Sequence, residues 1–228
     1  MALILNIETA TDVCSIALAK DGNVISIKES DEPYSHSKSI TLLIQECIKE
    51  ANEKLENLDA VAISEGPGSY TALRVGTSVA KGICYALNKP LIAIDTLKSI
   101  AWATQHKENL EGLYCPMIDA RRMEVYYKIF DDDNLAVTKL EAKVIDESSY
   151  KDYFASNKKI IFSGNGAEKC KSVLQSPLAV FSNVICSAAN MAILSQRSFE
   201  EQKFCDFAYF TPNYHKPPNI TTPRKRVL

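Results

Sequence analysis

The sequence predicts an α/β protein in which helices cover a mixed β-sheet. Three observations predict this fold class. Residues 3–7 are almost continuously apolar, as in a strand covered on both faces. The pair Asp21-Gly22 lies between two strand-like segments and favours a hairpin turn. A long apolar helix at residues 70–87 separates two further apolar strands, which is the order of a right-handed crossover between parallel strands.

The first half of the chain alternates between strand and helix patterns. The predicted strands are residues 3–7, 15–20, 24–28, 58–64 and 91–94, and the predicted helices are residues 37–54 and 70–87. The first helix is amphipathic, and the second ends near Asn88 and Pro90, which favour a helix C-terminus. Three antiparallel strands followed by two crossovers give a mixed sheet with helices on it.

The second half carries weaker patterns, with predicted strands at residues 114–120, 123–130 and 159–162 and predicted helices around residues 168–174 and 187–202. The length of 228 residues suits one large or two small domains. We therefore predict an N-terminal lobe at residues 1–105, a C-terminal lobe at residues 106–210 and a tail at residues 211–228.

The tail is basic and proline-rich, so we expect it to be flexible. It contains Lys216, Arg224, Lys225 and Arg226 and no acidic residue. Such a segment either contacts RNA phosphates or stays solvated, and the sequence leaves both open.

The most informative segment is residues 66–76, GPGSYTALRVG, which joins a predicted strand to a helix. Gly66 and Gly68 permit a positive φ, and Ser69 can cap the helix. The turn presents backbone N–H groups at the positive end of a helix, where an anion can bind. Its spacing matches neither a P-loop nor a dinucleotide-binding loop. Anion binding and simple chain reversal are therefore both open.

The helix at residues 70–87 is apolar nearly all round, since Arg74 and Lys81 are its only charged residues. A helix of this kind is buried on two sides. One apolar stripe is expected to face the sheet. The second stripe is either covered by other helices of the same domain or contacts a partner protein.

The sequence contains no recognisable catalytic cluster. The three histidines, His36, His106 and His215, lack metal-ligand spacing. Polar residues after the first strand and in the glycine-rich turn are weak candidates for contacting a cofactor phosphate: Glu8, Thr9, Thr11, Gly68 and Ser69. We predict no catalytic residue and no metal site.

Seven scattered cysteines without a Cys-x-x-Cys pair argue against a disulfide framework and for a reducing cytosol. The first residues lack the basic region and cleavage site of a signal peptide. No apolar run approaches membrane-spanning length. The sequence therefore predicts a cytoplasmic protein that does not contact a membrane.

Four segments together resemble the bacterial TsaB family. They are residues 7–12 (IETATD), residues 66–76, the pair Lys81-Gly82 and residues 119–126 (DARRMEVY), in the order found in that family. Residues 164–166 (GNG) are a later landmark. Ala72 stands where family members usually carry Gly. The resemblance implies an actin-like (ASKHA, RNase H-like) fold with two related lobes, each a mixed β-sheet with flanking helices.

The resemblance also implies a function. TsaB is similar to the catalytic subunit TsaD, which binds metal through His-x-x-x-His, and Thr96 and Ile100 occupy those two positions here. The chain is therefore expected to be a non-catalytic subunit of the complex that forms N6-threonylcarbamoyladenosine in tRNAs reading codons that begin with A. It would contact tRNA only indirectly.

The same resemblance implies the partners. TsaD would pair with the chain through the two helices of the N-terminal lobe, TsaE would join the complex, and the chain would form a homodimer when TsaD is absent. The chain would need no cofactor of its own, and a nucleotide at the joint with TsaD is left open. We predict that the interface residues are Leu42, Gln45, Val75, Val79, Gly82 and Ala86.

Two other functions remain alternatives. A zinc-dependent hydrolase similar to glycoprotein endopeptidases would need zinc ligands, and the sequence offers no cluster of them. An independent actin-fold phosphotransferase would need an acidic residue to position magnesium, for which Glu8 is the candidate at the end of the first strand. Bound zinc would favour the first alternative, and ATP turnover by the isolated chain would favour the second.

Overall fold

The computed structural model describes residues 1–30, 32 and 35–216 of the chain. Its strands are β1 (Leu3–Glu8), β2 (Ser15–Lys20), β3 (Asn23–Glu29), β4 (Ala60–Gly66), β5 (Leu91–Asp95), β6 (Leu113–Asp119), β7 (Glu124–Tyr127), β8 (Glu141–Val144), β9 (Ile160–Ser163) and β10 (Ala179–Phe181). Its α-helices are α1 (His36–Glu50), α2 (Tyr70–Leu87), α3 (Thr96–Glu108), α4 (Lys151–Ala155) and α5 (Ala192–Glu200). Within the described residues, no helix is both long and apolar enough to cross a membrane.

The strands form two five-stranded sheets that repeat one topology. The first sheet has the order β3-β2-β1-β4-β5, and the second has the order β8-β7-β6-β9-β10. In each sheet the first three strands in the chain are antiparallel neighbours, and the fourth and fifth strands run parallel to the first. The prediction of two related lobes, each built on a mixed sheet, is confirmed.

The two sheets are covered by different helices. Helices α1 and α2 pack on one face of the first sheet, around Leu5, Ile7 and Ile63. The opposite face is covered by α5 and the short 3₁₀-helix Ala188–Met191. Helix α5 therefore belongs to the first sheet by its contacts, although the sequence assigned its residues to the second lobe.

Helix α3 lies between the lobes. Its Leu97, Ile100 and Ala101 pack in one cluster with side chains of the second sheet. Its partly buried Trp102 packs instead against the cluster under the first sheet. The Lys128 ammonium group pairs with Asp95, the N-cap of α3, so an ion pair also joins the two lobes.

Several predicted elements differ from the structure. Helix α1 ends at Glu50 and not at residue 54. Residues 168–174 contain only the 3₁₀-helix Glu168–Cys170, and the helix predicted at residues 187–202 is the 3₁₀-helix Ala188–Met191 followed by α5. Helices α3 and α4 and strands β8 and β10 were not predicted. The short or polar sequences of these two strands gave no clear apolar alternation.

The segment after α5 returns along the first lobe towards the second. Cys205 forms an isolated bridge with Leu91, and Phe207 and Phe210 pack against the core of the first lobe. The Asn213 N–H donates to the Glu65 carbonyl oxygen at 2.7 Å. Residues 211–216 of the tail that we predicted to be flexible are thus in contact with the body of the protein. The rest of that prediction, for residues 217–228, lies outside the described residues.

Candidate functional site

Glu8, the last residue of β1, is fully buried beside the loop that leads to the cleft between the lobes. Its Oε1 accepts a hydrogen bond from the Ala10 N–H at 2.6 Å. Its Oε2 has no hydrogen-bond partner among the described residues. Burial raises the pKa of Glu8 to about 7, because a charged carboxylate loses its hydration there.

Thr9 packs against α2 at Gly76. A Cβ atom on Gly76 would lie 2.3 Å from Thr9 Oγ1 and 3.1 Å from Ile63 Cδ1. Thr9 itself is fully buried, and its N–H donates to Ser64 Oγ at 3.2 Å. Gly76 therefore allows α2 to approach the loop after β1 closely, and this contact is internal to the lobe.

Gly68 and Ser69 fasten the start of α2 to the same loop. The Ser69 N–H donates to the Ala10 carbonyl oxygen at 2.7 Å, and Ser69 Oγ is the N-cap acceptor of the Ala72 N–H at 3.5 Å. A Cβ atom on Gly68 would lie 2.3 Å from the Ala10 carbonyl oxygen. Gly68 therefore packs so closely against the loop after β1 that a side chain would not fit there.

The five weak candidates for contacting a cofactor therefore differ in position. Thr11, Gly68 and Ser69 line the cleft between the lobes, whereas Glu8 and Thr9 are fully buried. A cofactor contact by these residues stays a prediction.

The opposite wall of the cleft is the β6–β7 hairpin and the start of the segment after β9. The Asp119 N–H donates to Asn165 Oδ1 at 3.1 Å, which joins the hairpin to that segment. Lys169 pairs with Asp119 at 2.6 Å. The cleft between the two walls has a volume of about 400 Å³ and is lined by Asp12, Arg121 and Asn165, among others.

The end of the described chain lies across the mouth of this cleft. The Tyr214 ring packs on the Tyr70 ring of α2 with a centroid distance of 4.4 Å. His215 meets Tyr126 of β7 edge-on at 5.7 Å, and Lys216 Nζ pairs with Glu124 Oε1 at 2.5 Å. The sequence did not single out these aromatic side chains, because they come together only when residue 214 returns to residue 70.

The resemblance to TsaB implied that Thr96 and Ile100 stand where the related catalytic subunit has metal-binding histidines. Thr96 and Ile100 are fully buried. Thr96 Oγ1 accepts a hydrogen bond from the Gly66 N–H at 3.1 Å, and Ile100 packs in a cluster with Tyr114 and Phe130. In the part of the chain that the structure describes, no three His, Cys, Asp or Glu side chains are grouped to hold a metal ion.

The cysteine thiols are not activated. Burial raises the pKa of all seven: Cys14, Cys47, Cys84, Cys115, Cys170, Cys186 and Cys205. A thiol of raised pKa carries little thiolate at neutral pH and is a poor nucleophile.

A second candidate site is the outer face of helices α1 and α2, which we call the α1–α2 surface. This surface contains a groove of about 490 Å³. The groove is lined by Thr41, Tyr70, Arg74, Val75 and Val79, among others. Helix α1 buries its other face, including Ile40, Leu43, Ile44, Cys47 and Ile48, against the core. The groove therefore lies between two helices whose inner faces are already fixed by the sheet.

All six predicted interface residues lie on these two helices. Leu42 is 57% exposed and Gln45 is also exposed. Val75 and Val79 are half-buried against the core. Gly82 and Ala86 are exposed, and a Cβ atom on Gly82 would meet nothing within 4 Å.

The interface prediction overlooked one exposed aromatic residue. Tyr85 of α2 is 79% exposed, next to Ala86. Helical spacing alone assigned it to neither apolar stripe. Exposure does not show that a partner binds this surface, so the interface stays a prediction.

Two lobes that repeat one mixed-sheet topology around a common cleft define an actin-like protein. Known proteins agree with this class. An activator of 2-hydroxyisocaproyl-CoA dehydratase from Clostridium difficile superposes with a TM-score of 0.53 over 88% of this chain and 96% of its own, at 7% identity. YeaZ from Pseudomonas aeruginosa superposes with a TM-score of 0.80 over 94% of this chain and 100% of its own, at 22% identity.

The family model described as "TsaD: tRNA N6-adenosine threonylcarbamoyltransferase" matches residues 33–222 of this chain. The chain belongs to that family. The tRNA threonylcarbamoyladenosine biosynthesis protein TsaB from Escherichia coli is 34% identical over 130 residues, which cover 57% of this chain and 55% of that protein. The resemblance to TsaB is thereby confirmed. The chain spans about half the length of the curated relatives that it matches first.

Proposed function

We propose that this chain is a non-catalytic subunit in the biosynthesis of N6-threonylcarbamoyladenosine in tRNA, and that it binds TsaD through the α1–α2 surface. The observation that carries the proposal is the exposed, side-chain-free position at Gly82 beside exposed Ala86. Glycine costs about 1 kcal/mol relative to alanine inside a helix, so an exposed glycine without an internal contact needs another reason. Close approach of a partner helix supplies that reason.

Three observations support a non-catalytic role. The chain matches the TsaB relative over 55% of that protein's length, whereas it matches a relative named tRNA N6-adenosine threonylcarbamoyltransferase over 36% of that protein's length. Thr96 and Ile100 are committed to internal contacts. Glu8, the candidate acid of a phosphotransferase, is fully buried and is not among the residues that line the cleft. The chain would then act by shaping its partner and not by supplying reacting groups.

The proposal extends to the other members of the complex. TsaE would join the pair, and a second copy of the chain would occupy the α1–α2 surface when TsaD is absent, because one self-complementary patch favours a twofold dimer. A nucleotide at the joint with TsaD and a cytoplasmic location are also part of the proposal. The chain itself would need no cofactor.

The sharpest test replaces Gly82. The space at its Cβ position is open, so Gly82→Glu is expected to leave the fold intact and to lose no stability. At a closely packed helical interface the same change buries an unpaired charge, so the affinity for TsaD is expected to fall about 100-fold. Size-exclusion chromatography with light scattering measures complex formation, and mass spectrometry of tRNA nucleosides measures modification.

Three further variants complete the design. Val79→Glu is expected to weaken pairing in the same way. Gly82→Ala should stabilise α2 by about 1 kcal/mol but weaken pairing, because its Cβ atom would stand where the partner helix approaches. Val137→Glu changes an exposed valine of the second lobe and is the matched control. If Gly82→Glu and Val79→Glu pair with TsaD as well as Val137→Glu does, the proposed interface is wrong.

A further inference from the structure

The turn between β6 and β7 holds two consecutive arginines in an unusual backbone conformation. Arg121 has φ 75° and Arg122 has φ 51°, and both side chains are exposed. A positive φ costs a residue with a side chain about 1–2 kcal/mol, and glycine or asparagine normally fills such turns. The turn therefore carries two long cationic side chains even though the backbone conformation of both residues is unfavourable.

Lys169 holds this turn in place. Its ammonium group donates to Asp119 Oδ1 at 2.6 Å, to the Arg122 carbonyl oxygen at 2.6 Å and to the Glu124 carbonyl oxygen at 2.8 Å. Asp119 Oδ1 also accepts from the Arg121 N–H at 2.6 Å. The strained turn is thus supported by a specific set of contacts, while the two guanidinium groups take no part in it.

Aromatic and cationic side chains alternate across the neighbouring mouth of the cleft. Arg74 lies 5.5 Å from the centre of the Tyr70 ring, and the Tyr70 ring packs on Tyr214. On the second lobe Tyr126 contacts His215. The cleft lining includes Tyr70, Tyr126, Tyr214, Arg121 and Lys216. Tyr70, Tyr126 and Tyr214 are only partly buried, so part of each ring remains accessible.

The carboxylates of this surface are mostly neutralised by lysines. Asp119 pairs with Lys169, and Glu124 pairs with Lys216. Asp12 also lines the cleft. Within the described residues, Arg121 and Arg122 form no ion pair, whereas Asp119 and Glu124 each pair with a lysine. Three further cations, Arg224, Lys225 and Arg226, follow Lys216 in the sequence.

We propose that the Arg121–Arg122 turn and the tyrosines at the cleft mouth bind single-stranded RNA directly. The two guanidinium groups would contact phosphates, and the accessible tyrosine rings would stack on bases. Cations interleaved with aromatic rings are the usual chemistry of single-strand binding. The inference rests on the proposed function, which supplies tRNA as the RNA. It differs from the sequence-based prediction, in which this subunit contacts tRNA only indirectly.

An RNA fits this surface better than a second protein. The apolar, small-residue face suited to a protein lies on α1 and α2, whereas the cleft mouth is polar and is flanked by the exposed Arg121 and Arg122. An interface between proteins is depleted of charge at its centre, and an RNA-binding surface is enriched in it. The arrangement therefore favours phosphates over a protein partner.

The test measures RNA binding by the full chain without TsaD. Fluorescence anisotropy with a labelled, unmodified tRNA transcript gives the Kd between 50 and 200 mM salt. The double variant Arg121→Gln/Arg122→Gln is expected to bind about tenfold more weakly at the lowest salt. The slope of log Kd against log salt should fall by about 1.4, since two single-strand phosphate contacts are lost.

Matched variants separate charge from folding. Lys151→Gln/Lys158→Gln removes the same charge from two exposed lysines that precede β9, at the end of that strand opposite the cleft, and should bind RNA as the unchanged chain does. Arg121→Lys/Arg122→Lys should restore most of the affinity. Tyr214→Leu should weaken binding without changing the salt slope.

The proposal fails if the unchanged chain does not bind the transcript. It also fails if Arg121→Gln/Arg122→Gln and the control Lys151→Gln/Lys158→Gln lose affinity equally. It also fails if the arginine variant binds RNA normally but no longer pairs with TsaD, since the turn would then belong to a protein interface. Pairing with TsaD is measured separately by size exclusion. Normal pairing without RNA binding would overturn this inference and leave the proposed function standing.

Discussion

Two glycines of one helix have opposite roles, and only the structure separates them. The sequence shows Gly76 and Gly82 in the same apolar helix, where both predict close backbone approach. Gly76 faces Thr9 inside the lobe, whereas Gly82 faces outwards with open space at its Cβ position. The approach of α2 to a neighbour was thus predictable from the sequence. The sequence could not predict which glycine contacts which neighbour, because Thr9 lies in a loop 67 residues earlier in the chain.

Gly76→Ala is expected to destabilise the fold. Its Cβ atom would lie 2.3 Å from Thr9 Oγ1, so the helix or the loop must move, at a cost of about 1–3 kcal/mol. Thr9→Ala removes the obstructing atoms, so the double variant should lose less than the sum of the two single changes. Urea denaturation of the four proteins measures this coupling. Additive losses would show that the close contact does not limit the position.

The buried carboxyl group of Glu8 makes stability depend on pH in a defined direction. Burial raises the pKa of Glu8 from 4.5 to about 7. Between these values the folded state binds more protons at Glu8 than the unfolded state does. Stability therefore falls as the pH rises through this window, and the loss of about 3 kcal/mol is complete only above pH 7. At pH 4 both states are protonated and the loss is absent.

Glu8→Gln should therefore be more stable than the unchanged chain at pH 8, with the difference vanishing towards pH 4. The amide resembles the protonated carboxyl group, so the Ala10 hydrogen bond is retained. Thermal unfolding of both proteins from pH 4 to pH 8 measures the difference, in which contributions from other groups cancel. Glu111→Gln, at an exposed position, is the control. A difference that did not change with pH would contradict the raised pKa.

At the scale of elements, the sequence was most reliable where local signals agree. Helix α2 has the predicted bounds, because Ser69 caps its start and Asn88, with φ 50°, ends it. Helix α3 was missed although it has caps of the same kind in Asp95 and Asn109. It buries Thr96, Ser99 and Thr104 together with apolar residues and contacts both lobes, so it has no single apolar stripe.

The elements at the candidate sites show the same division. Both helices of the α1–α2 surface were predicted, since each carries a clear apolar face. The cleft mouth was not predicted from the sequence, because it forms only when residues 214–216 contact α2 and β7. Local patterns describe a surface built from consecutive turns of helix. They do not describe a surface formed by segments that lie far apart in the chain.

At the scale of the whole molecule, the two lobes are joined by more than the connecting chain. Helix α3 packs in clusters under both sheets, and Thr104 Oγ1 donates to Ser163 Oγ of β9 at 2.8 Å. Helix α5 returns to cover the first sheet after the second has been completed. Removing either lobe would expose an apolar face of the other. We therefore expect the two lobes to unfold in one transition, despite their separate sheets.

The single tryptophan makes this cooperativity measurable. Trp102 lies on α3 under the first sheet, and the guanidinium group of Arg197 from α5 lies 4.4 Å from its ring centre. Ile160→Val removes one methylene from the core of the second lobe, where Ile160 is fully buried, and should cost about 1 kcal/mol. If the lobes unfold together, the urea midpoints measured by Trp102 fluorescence and by far-UV circular dichroism shift equally. Val61→Ala in the first lobe is the reciprocal control, since Val61 of β4 is fully buried in the core of that lobe. If Ile160→Val leaves the urea midpoint of Trp102 fluorescence unchanged, each lobe unfolds on its own, because the tryptophan then reports only on the first sheet.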